Sequence, residues 1–379
     1  MTGMTAVLGA VATLGTWAAV AVGGLAAGRL LTALVGRIVD APEDRDPWVH
    51  RGIEAAAVAS ALGLWWWEVG RLGQLPPTAG PSAEVPWRCV AHLVLFALLA
   101  AASWVDIRHR VIPDCITVPG VLAGLAWMAI QPAALLPIVH EVPRPYAVPL
   151  RVPDVLTAWG GLCAVELPAL GAAWPSPAGL TCGLAIFLVW WRGCTAPFLE
   201  PDPRRHRLVD LLAEPRNLVL GGGIAGVVAA WRIGGVHWAG LLTSLVGLAV
   251  AAGVVWLTRA GASWAVGREA MGLGDVTLMA MVGAWLGWQA CVLACFGGVF
   301  IGLAHGLGQM VRHREAELPF GPSLCLATAA VVVLWRPCWQ RAGELFAHPL
   351  DMAALVAAVI VLTAVGLVLW RRVRGLLFG

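Results

Sequence analysis

Met271-Gly272-Leu273-Gly274-Asp275-Val276-Thr277-Leu278-Met279-Ala280, continued by Met281-Val282-Gly283-Ala284-Trp285-Leu286-Gly287-Trp288, sets one carboxylate at the mouth of an apolar run, directly after two glycines. A charged side chain is costly against hydrocarbon and persists there where it faces a polar cavity and has a task. What surrounds this stretch decides whether the run is a membrane helix and what Asp275 faces.

Of 379 residues, 59% are hydrophobic and 12% charged, and the mean hydropathy is +0.80, whereas a soluble domain carries roughly 25% charged residues. Apolar runs of about 20 residues, enough to cross a hydrocarbon core of about 30 Å, recur from end to end. They lack the alternation of barrel strands, so with no water to satisfy their backbone groups they must be helices. The expected fold is all-α: a polytopic integral membrane helical bundle of about eleven transmembrane helices plus one interfacial or re-entrant segment. Spans are expected near 6–35, 53–67, 87–105, 115–130, 178–191, 218–231, 238–257, 276–288, 291–310, 323–335 and 352–370. Residues 131–154 are Pro-rich and read as a loop, and 155–174 is apolar but carries Glu166 and Pro168.

Arginine placement sets the sidedness, since the chain has no Lys. The loops holding Arg108 and Arg110, Arg204 to Arg216, Arg312 and Arg314, and Arg371, Arg372 and Arg374 are all cytoplasmic only if 155–174 does not cross. The N-terminus is then outside and the C-terminus inside. Asp106, at the end of the third span, and Asp275 then share the cytoplasmic face. No basic region precedes the first apolar run, whose first charge is Arg29, so it reads as an anchor and not as a cleaved signal. The expected organisation is 1–105, N-terminal helices with a charged loop at 37–51; 106–130, the segment of Asp106; 131–230, an insertion with extra helices; 231–335, the core around Asp275; and 336–379, a C-terminal loop and helix.

The net charge of +3 leaves no nucleic-acid footprint, so membrane lipid is the expected surface partner and nucleic acid is not. Nine scattered cysteines form no Cys-x-x-Cys pair, which supports neither a zinc site nor a disulfide framework. No metal and no cofactor is expected.

Two aspartates at equal depth suggest a diaspartyl hydrolase. Close carboxylates cannot both ionise easily and share a proton, so one acts as base on a water while its protonated partner polarises the scissile carbonyl. Gly272 and Gly274 would let the backbone turn sharply and let an extended peptide approach. From the residues alone other readings stand beside this one. Asp275 also reads as a helix N-cap after a Gly turn, Asp106 as an interfacial charge balanced by Arg108 or Arg110, and the pair as ion or proton sites of a transporter.

Three blocks, in this order, resemble the prepilin peptidases, polytopic aspartic endopeptidases of the GxGD type. The first is Asp106-Ile107-Arg108-His109-Arg110-Val111-Ile112-Pro113-Asp114-Cys115-Ile116-Thr117-Val118-Pro119, an Asp followed seven residues on by Pro-Asp and a helix. The second is Gly272-Leu273-Gly274-Asp275 with Leu278, Ala280 and Gly283 to Trp288; the third is Leu318-Pro319-Phe320-Gly321-Pro322. The resemblance covers about 106–130 and 238–335. It implies that Asp106 and Asp275 are the catalytic pair, supported by Gly272, Gly274, Pro319, Phe320, Gly321 and Pro322. It also implies a type IV prepilin or type II secretion pseudopilin as substrate, cut at the cytoplasmic face of a bacterial inner membrane. Pro113 and Asp114 read as a structural cap, not as a third acid.

Three departures from the family pattern stand out. The family's bifunctional members carry two Cys-x-x-Cys pairs after the first span, associated with methylating the new N-terminus, whereas 37–51 has no cysteine. A peptidase without methyltransferase activity is therefore expected, although Gly24-Leu25-Ala26-Ala27-Gly28 and Arg37 keep an echo of the family's first span. Thr277 stands where the family usually has a Lys, and 131–230 lengthens the link between the aspartates. A degenerate structural subunit of a pilus or secretion assembly is the main rival, and a proton-coupled transporter a more distant one. His92 and His305 read as hydrogen-bonded packing residues, Gly221 to Gly223 and Gly297-Gly298 as close-packing positions, and Trp285 and Trp288 as anchors that also wall the site.

Overall fold

Each stretch marked as a span holds a helix in the computed structural model, which describes residues 2–38, 47–75, 83–140, 146–149, 177–195, 215–267, 269, 271–312, 320–347, 351–361 and 365. In chain order the helices are α1 (Thr2–Ile38), α2 (Pro47–Trp65), α3 (Val85–His109), α4 (Asp114–Ile130), α5 (Pro177–Thr195), α6 (Pro215–Ile233), α7 (Gly235–Val266), α8 (Leu273–Leu286), α9 (Trp288–Arg312), α10 (Gly321–Val333), α11 (Trp335–Ala347) and α12 (Asp351–Val361). Five are long and apolar enough to cross a membrane: Gly15–Ala33 within α1, α3, most of α5, α7, and Trp288–His305 within α9. α10 and the first part of α11 make a sixth if they are one broken span, and α4, α8, α12 and Asn217–Ile233 of α6 are apolar but shorter. This is a helical membrane protein. The expected segment 155–174, the loops with Arg204 to Arg207, Arg314 and Arg371 to Arg374, and Pro319 lie outside the described residues.

Two expected loops carry regular structure. Within 131–154, a 3₁₀ turn at Pro132–Ala134 leads to an antiparallel hairpin of β1 (Pro137–His140) and β2 (Tyr146–Pro149), with Ile138 opposite Val148. Prolines that exclude a helix are tolerated at the ends of such short strands. The expected span at 323–335 is also shorter than read, because α10 stops at Val333 and the chain bends by 87° into α11. There Trp335, Trp339 and Phe346 face the bundle, with ring centroids 5.4 and 6.0 Å apart. Gln340 and Arg341 are exposed. That two-faced pattern suits a helix lying in an interface better than one crossing a bilayer. Trp335 Nε1 donates to the Pro137 carbonyl at 2.7 Å, fixing α11 to the hairpin.

α8 is the axis of the core, with every side chain from Leu278 to Leu286 buried. α7 runs against it and α4 packs on another side. α7 and α8 meet backbone to backbone at Gly247 and Gly283, where a methyl on either would run into the other's carbonyl. Lipid tails are as apolar as side chains, so helix association in a bilayer depends on such close packing. Ser244 Oγ donates to the Ala284 carbonyl at this crossing. Trp285 fills the notch left by Gly124 and donates Nε1 to the Gly120 carbonyl at 2.9 Å. In the insertion, Phe187 of α5 stacks on Trp191 and meets Trp190 at a tilt, and α5 packs on α6 and α7.

A second polar region lies at the N-terminal end of α3. α2 runs into a π-helical turn, Trp66–Gly70, in which Glu68 is buried. Glu68 accepts from Gln74 Nε2 at 3.1 Å and lies 2.7 Å from His92 Nδ1. Arg88, one turn before His92, is 5% exposed and sits in the field of Glu68. Gln74 Nε2 and Trp67 Nε1 donate to the Val332 and Val333 carbonyls, each at 2.9 Å. The cluster thus ties α2, α3 and α10 together.

Candidate active site

Three separate sequence blocks converge at the other end of α3. Asp106 stands in the last turn of that helix and is 5% exposed; Asp275, the third residue of α8, is 8% exposed. Each approaches from its own helix, and Asp275 lies within the electrostatic field of Asp106. The amide of Gly321, the first residue of α10, donates to Asp106. Cys325, one turn further along α10, lies in the fields of both aspartates and beside Ser103. Two like charges in surroundings this apolar repel with little screening, which favours a proton shared between them.

Local backbone features bring the three blocks together. α3 ends on Arg110 in the left-handed region (φ 55°), whose amide bonds the Asp106 carbonyl at 2.8 Å. The chain then turns through Ile112 and an extended Pro113 (φ −79°, ψ 137°) into α4. Ile112 is 6% exposed and becomes the hub of the site. A methyl on Gly274 would stand 2.9 Å from Ile112 Cβ and 3.3 Å from its N and O. A methyl on Gly321 would run into Asp106 Oδ2 and come within 2.9 Å of Ile112 Cδ1. Both glycines therefore make room, one for the turn leaving Asp106 and one for its carboxylate.

Several expected roles change in detail. Gly272 is the N-cap of α8 in an ordinary extended conformation (φ −69°, ψ 154°), and a methyl there would meet only the Gly274 amide at 3.8 Å. The close approach belongs to Gly274 alone. Asp275 is not the N-cap that one reading made it, since the helix begins two residues earlier. Nor does Asp114 cap α4: Pro113 holds the cap position, and Asp114 is the first helical residue, exposed, with its charge suited to the helix N-terminus. Phe320 caps α10 and Pro322 sits in its first turn, where a missing amide costs nothing. Thr277 turns its hydroxyl back to the Gly274 carbonyl at 3.0 Å. Trp285 and Trp288 do not wall the site. Trp285 binds Gly120, and Trp288 packs edge-on against Phe346 at 5.4 Å, both at the far end of α8. Among the described residues, no three His, Cys, Asp or Glu side chains gather where a metal would be held.

Two residues near the site were missed by the sequence reading. Ile112 gave no signal beyond its place before a proline. Arg259 did give one, as a lone charge directly after the apolar run Val254-Val255-Trp256-Leu257-Thr258. Its Nε donates to the Met271 carbonyl at 2.8 Å and its guanidinium pairs with Glu269.

Comparisons with known proteins reach the second of the three blocks, the one around Asp275. Residues 214–307 match the type IV leader peptidase family. The prepilin leader peptidase/N-methyltransferase of Pseudomonas aeruginosa is 31% identical over 212 residues, covering 52% of this chain and 69% of that protein. The one of Aeromonas hydrophila is 28% identical over 179 residues, covering 38% of this chain and 61% of the relative. For Aeromonas salmonicida the figures are 34% over 112 residues, 26% of this chain and 38% of the relative. The chain therefore spans less than two thirds of the length of two of these three relatives. No solved structure matches it.

Proposed function

The chain belongs to the type IV leader peptidase family, and we propose that it is an aspartic endopeptidase that removes leader peptides from type IV prepilins or type II secretion pseudopilins. Asp106 and Asp275 are its catalytic residues, working at the cytoplasmic face of a bacterial inner membrane. One observation supports this above the others: two buried carboxylates from distant blocks stand in each other's field at one end of the bundle.

In the proposed reaction one ionised carboxylate takes a proton from water as its oxygen attacks the scissile carbonyl. The protonated partner donates to the carbonyl oxygen, giving a neutral diol. Collapse of the diol breaks the C–N bond: the proton gained from water goes to the leaving amine, and a diol hydroxyl returns its proton to the other carboxylate, which restores the singly protonated pair. Which aspartate starts with the proton is a property of the coupled pair. The relatives' names also include methyl transfer; 37–51 lacks the cysteines of the bifunctional members, so peptidase activity alone is expected of this chain.

Co-expression with a prepilin, with leader removal read by gel shift and N-terminal mass, tests this reading. Cleavage by the unsubstituted chain that disappears in both Asp106→Asn and Asp275→Asn is the expected result. Cleavage that survives either change rules out the diaspartyl mechanism. An intact leader with the unsubstituted chain, across several prepilins and pseudopilins, favours the structural-subunit reading instead.

A further inference from the structure

The segment that delivers Asp275 is short and held from one side. α7 ends at Gly267, in the left-handed region (φ 77°), with its amide on the Ser263 carbonyl at 2.8 Å. α8 restarts after Gly272, so only a few residues set where its first turn stands relative to Asp106. Arg259, two turns before the end of α7, reaches across this gap. Its Nε donates to the carbonyl of Met271, the residue before the N-cap, at 2.8 Å, and its guanidinium pairs with Glu269. The Arg259 side chain is 20% exposed and that of Glu269 66%.

We infer that Arg259 is a positioning residue, fixing the start of α8 through the Met271 carbonyl and so setting Asp275 opposite Asp106. This rests on the peptidase reading above. The two contacts differ in weight. An ion pair with a mostly exposed carboxylate is screened by water, whereas a charged donor on a backbone carbonyl is among the stronger hydrogen bonds. Met271 therefore matters more than Glu269. Arg makes both contacts at once through different nitrogens of one planar group, whereas a Lys ammonium keeps the charge but has a single flexible nitrogen in place of that fixed fork. Arg259 contacts the backbone beside the site and no reacting atom, so its loss shows in the chemical step and leaves substrate binding nearly unchanged.

The test is purified full-length protein in detergent with a prepilin substrate, comparing Arg259→Met, Arg259→Lys, Glu269→Gln and Asp275→Asn, each checked for monodispersity and Tm. Expected are a fall in kcat of about 10- to 100-fold for Arg259→Met with KM within about threefold, partial recovery in Arg259→Lys, and a change below about threefold in Glu269→Gln. A normal kcat in Arg259→Met overturns the proposal, as does a loss confined to KM, which would make Arg259 a substrate contact. If Arg259→Met does not fold, the same decision falls to the other two. A kcat loss in Glu269→Gln as large as that in Arg259→Lys overturns the primacy of Met271, and a smaller one supports it. Asp275→Asn separates the levels: if it cleaves normally the diaspartyl reading fails, and if it is inactive while Arg259→Met is normal only the positioning role fails.

Discussion

Both ends of α3 hold buried ionisable side chains, and they follow opposite rules. At the N-terminal end Glu68 Oε1 accepts from Gln74 and lies against His92, and the carboxylate stands in the field of Arg88, so groups of unlike kind face one another. At the C-terminal end Asp106 faces Asp275, and small residues clear space around them. The first arrangement ties three elements into one packing unit. The second works against stability, because each carboxylate raises the cost of ionising the other. Buried charge by itself is thus a poor guide to function, and the sign of the neighbour tells the two ends apart. Four changes test that contrast.

The largest effect belongs to the like-charged end. Asp106→Asn or Asp275→Asn should lower prepilin cleavage about 10³-fold or more, while the melting temperature holds or rises because a neutral amide spares the fold the cost of keeping one carboxylate protonated beside the other. Kinetics and thermal unfolding on the same preparation check both halves. If stability fell along with activity, the pair would be a structural element like the other end. Next comes Glu68→Leu, which leaves Arg88 and His92 buried without their carboxylate. It should cost about 3–5 kcal/mol of stability and leave cleavage per folded molecule within about threefold. An unchanged Tm would remove the N-terminal end from the comparison.

A third change probes the space around the pair. Gly321→Ala pushes a methyl into Asp106 Oδ2, which should cost about 1–3 kcal/mol through overpacking and up to about 10²-fold in cleavage through misplacement of the carboxylate. Gly272→Ala is its control. No close neighbour meets the added methyl there, so activity should stay within about threefold. Equal losses at the two glycines would mean that backbone conformation, and not clearance, is what the motif requires.

Long-period features were legible in the sequence and short-range geometry was not. Apolar runs announced the helices because a bilayer leaves the backbone no other choice, and Asp106 and Asp275 stood out because charge in such runs is rare. The hairpin at 137–149 escaped because prolines signal the absence of a helix without saying what replaces it. α11 escaped because Trp335 completes an apolar run while its polar face begins only afterwards. In the motif itself, two glycines looked alike in sequence. Only the packing of Ile112 against Gly274 shows that their reasons differ.

The smallest effect is expected at Thr277, where the family usually carries a lysine. The Thr277 hydroxyl already serves the first turn of α8 by donating to the Gly274 carbonyl, so Thr277→Ala should change cleavage by less than about threefold. Thr277→Lys gives up that bond and places a flexible cation near the pair, its stem able to carry the amine outward. At a separation of about 8 Å, in an effective dielectric between water and a protein surface, the attraction is about 0.5–2 kcal/mol. Cleavage should therefore rise by less than about thirtyfold, and the gain should shrink in 1 M salt, where the screening length is about 3 Å. A gain of a hundredfold or more, insensitive to salt, would instead show that the lysine is part of the chemistry. The like-charged end of α3 would then be a retired site, not a working one.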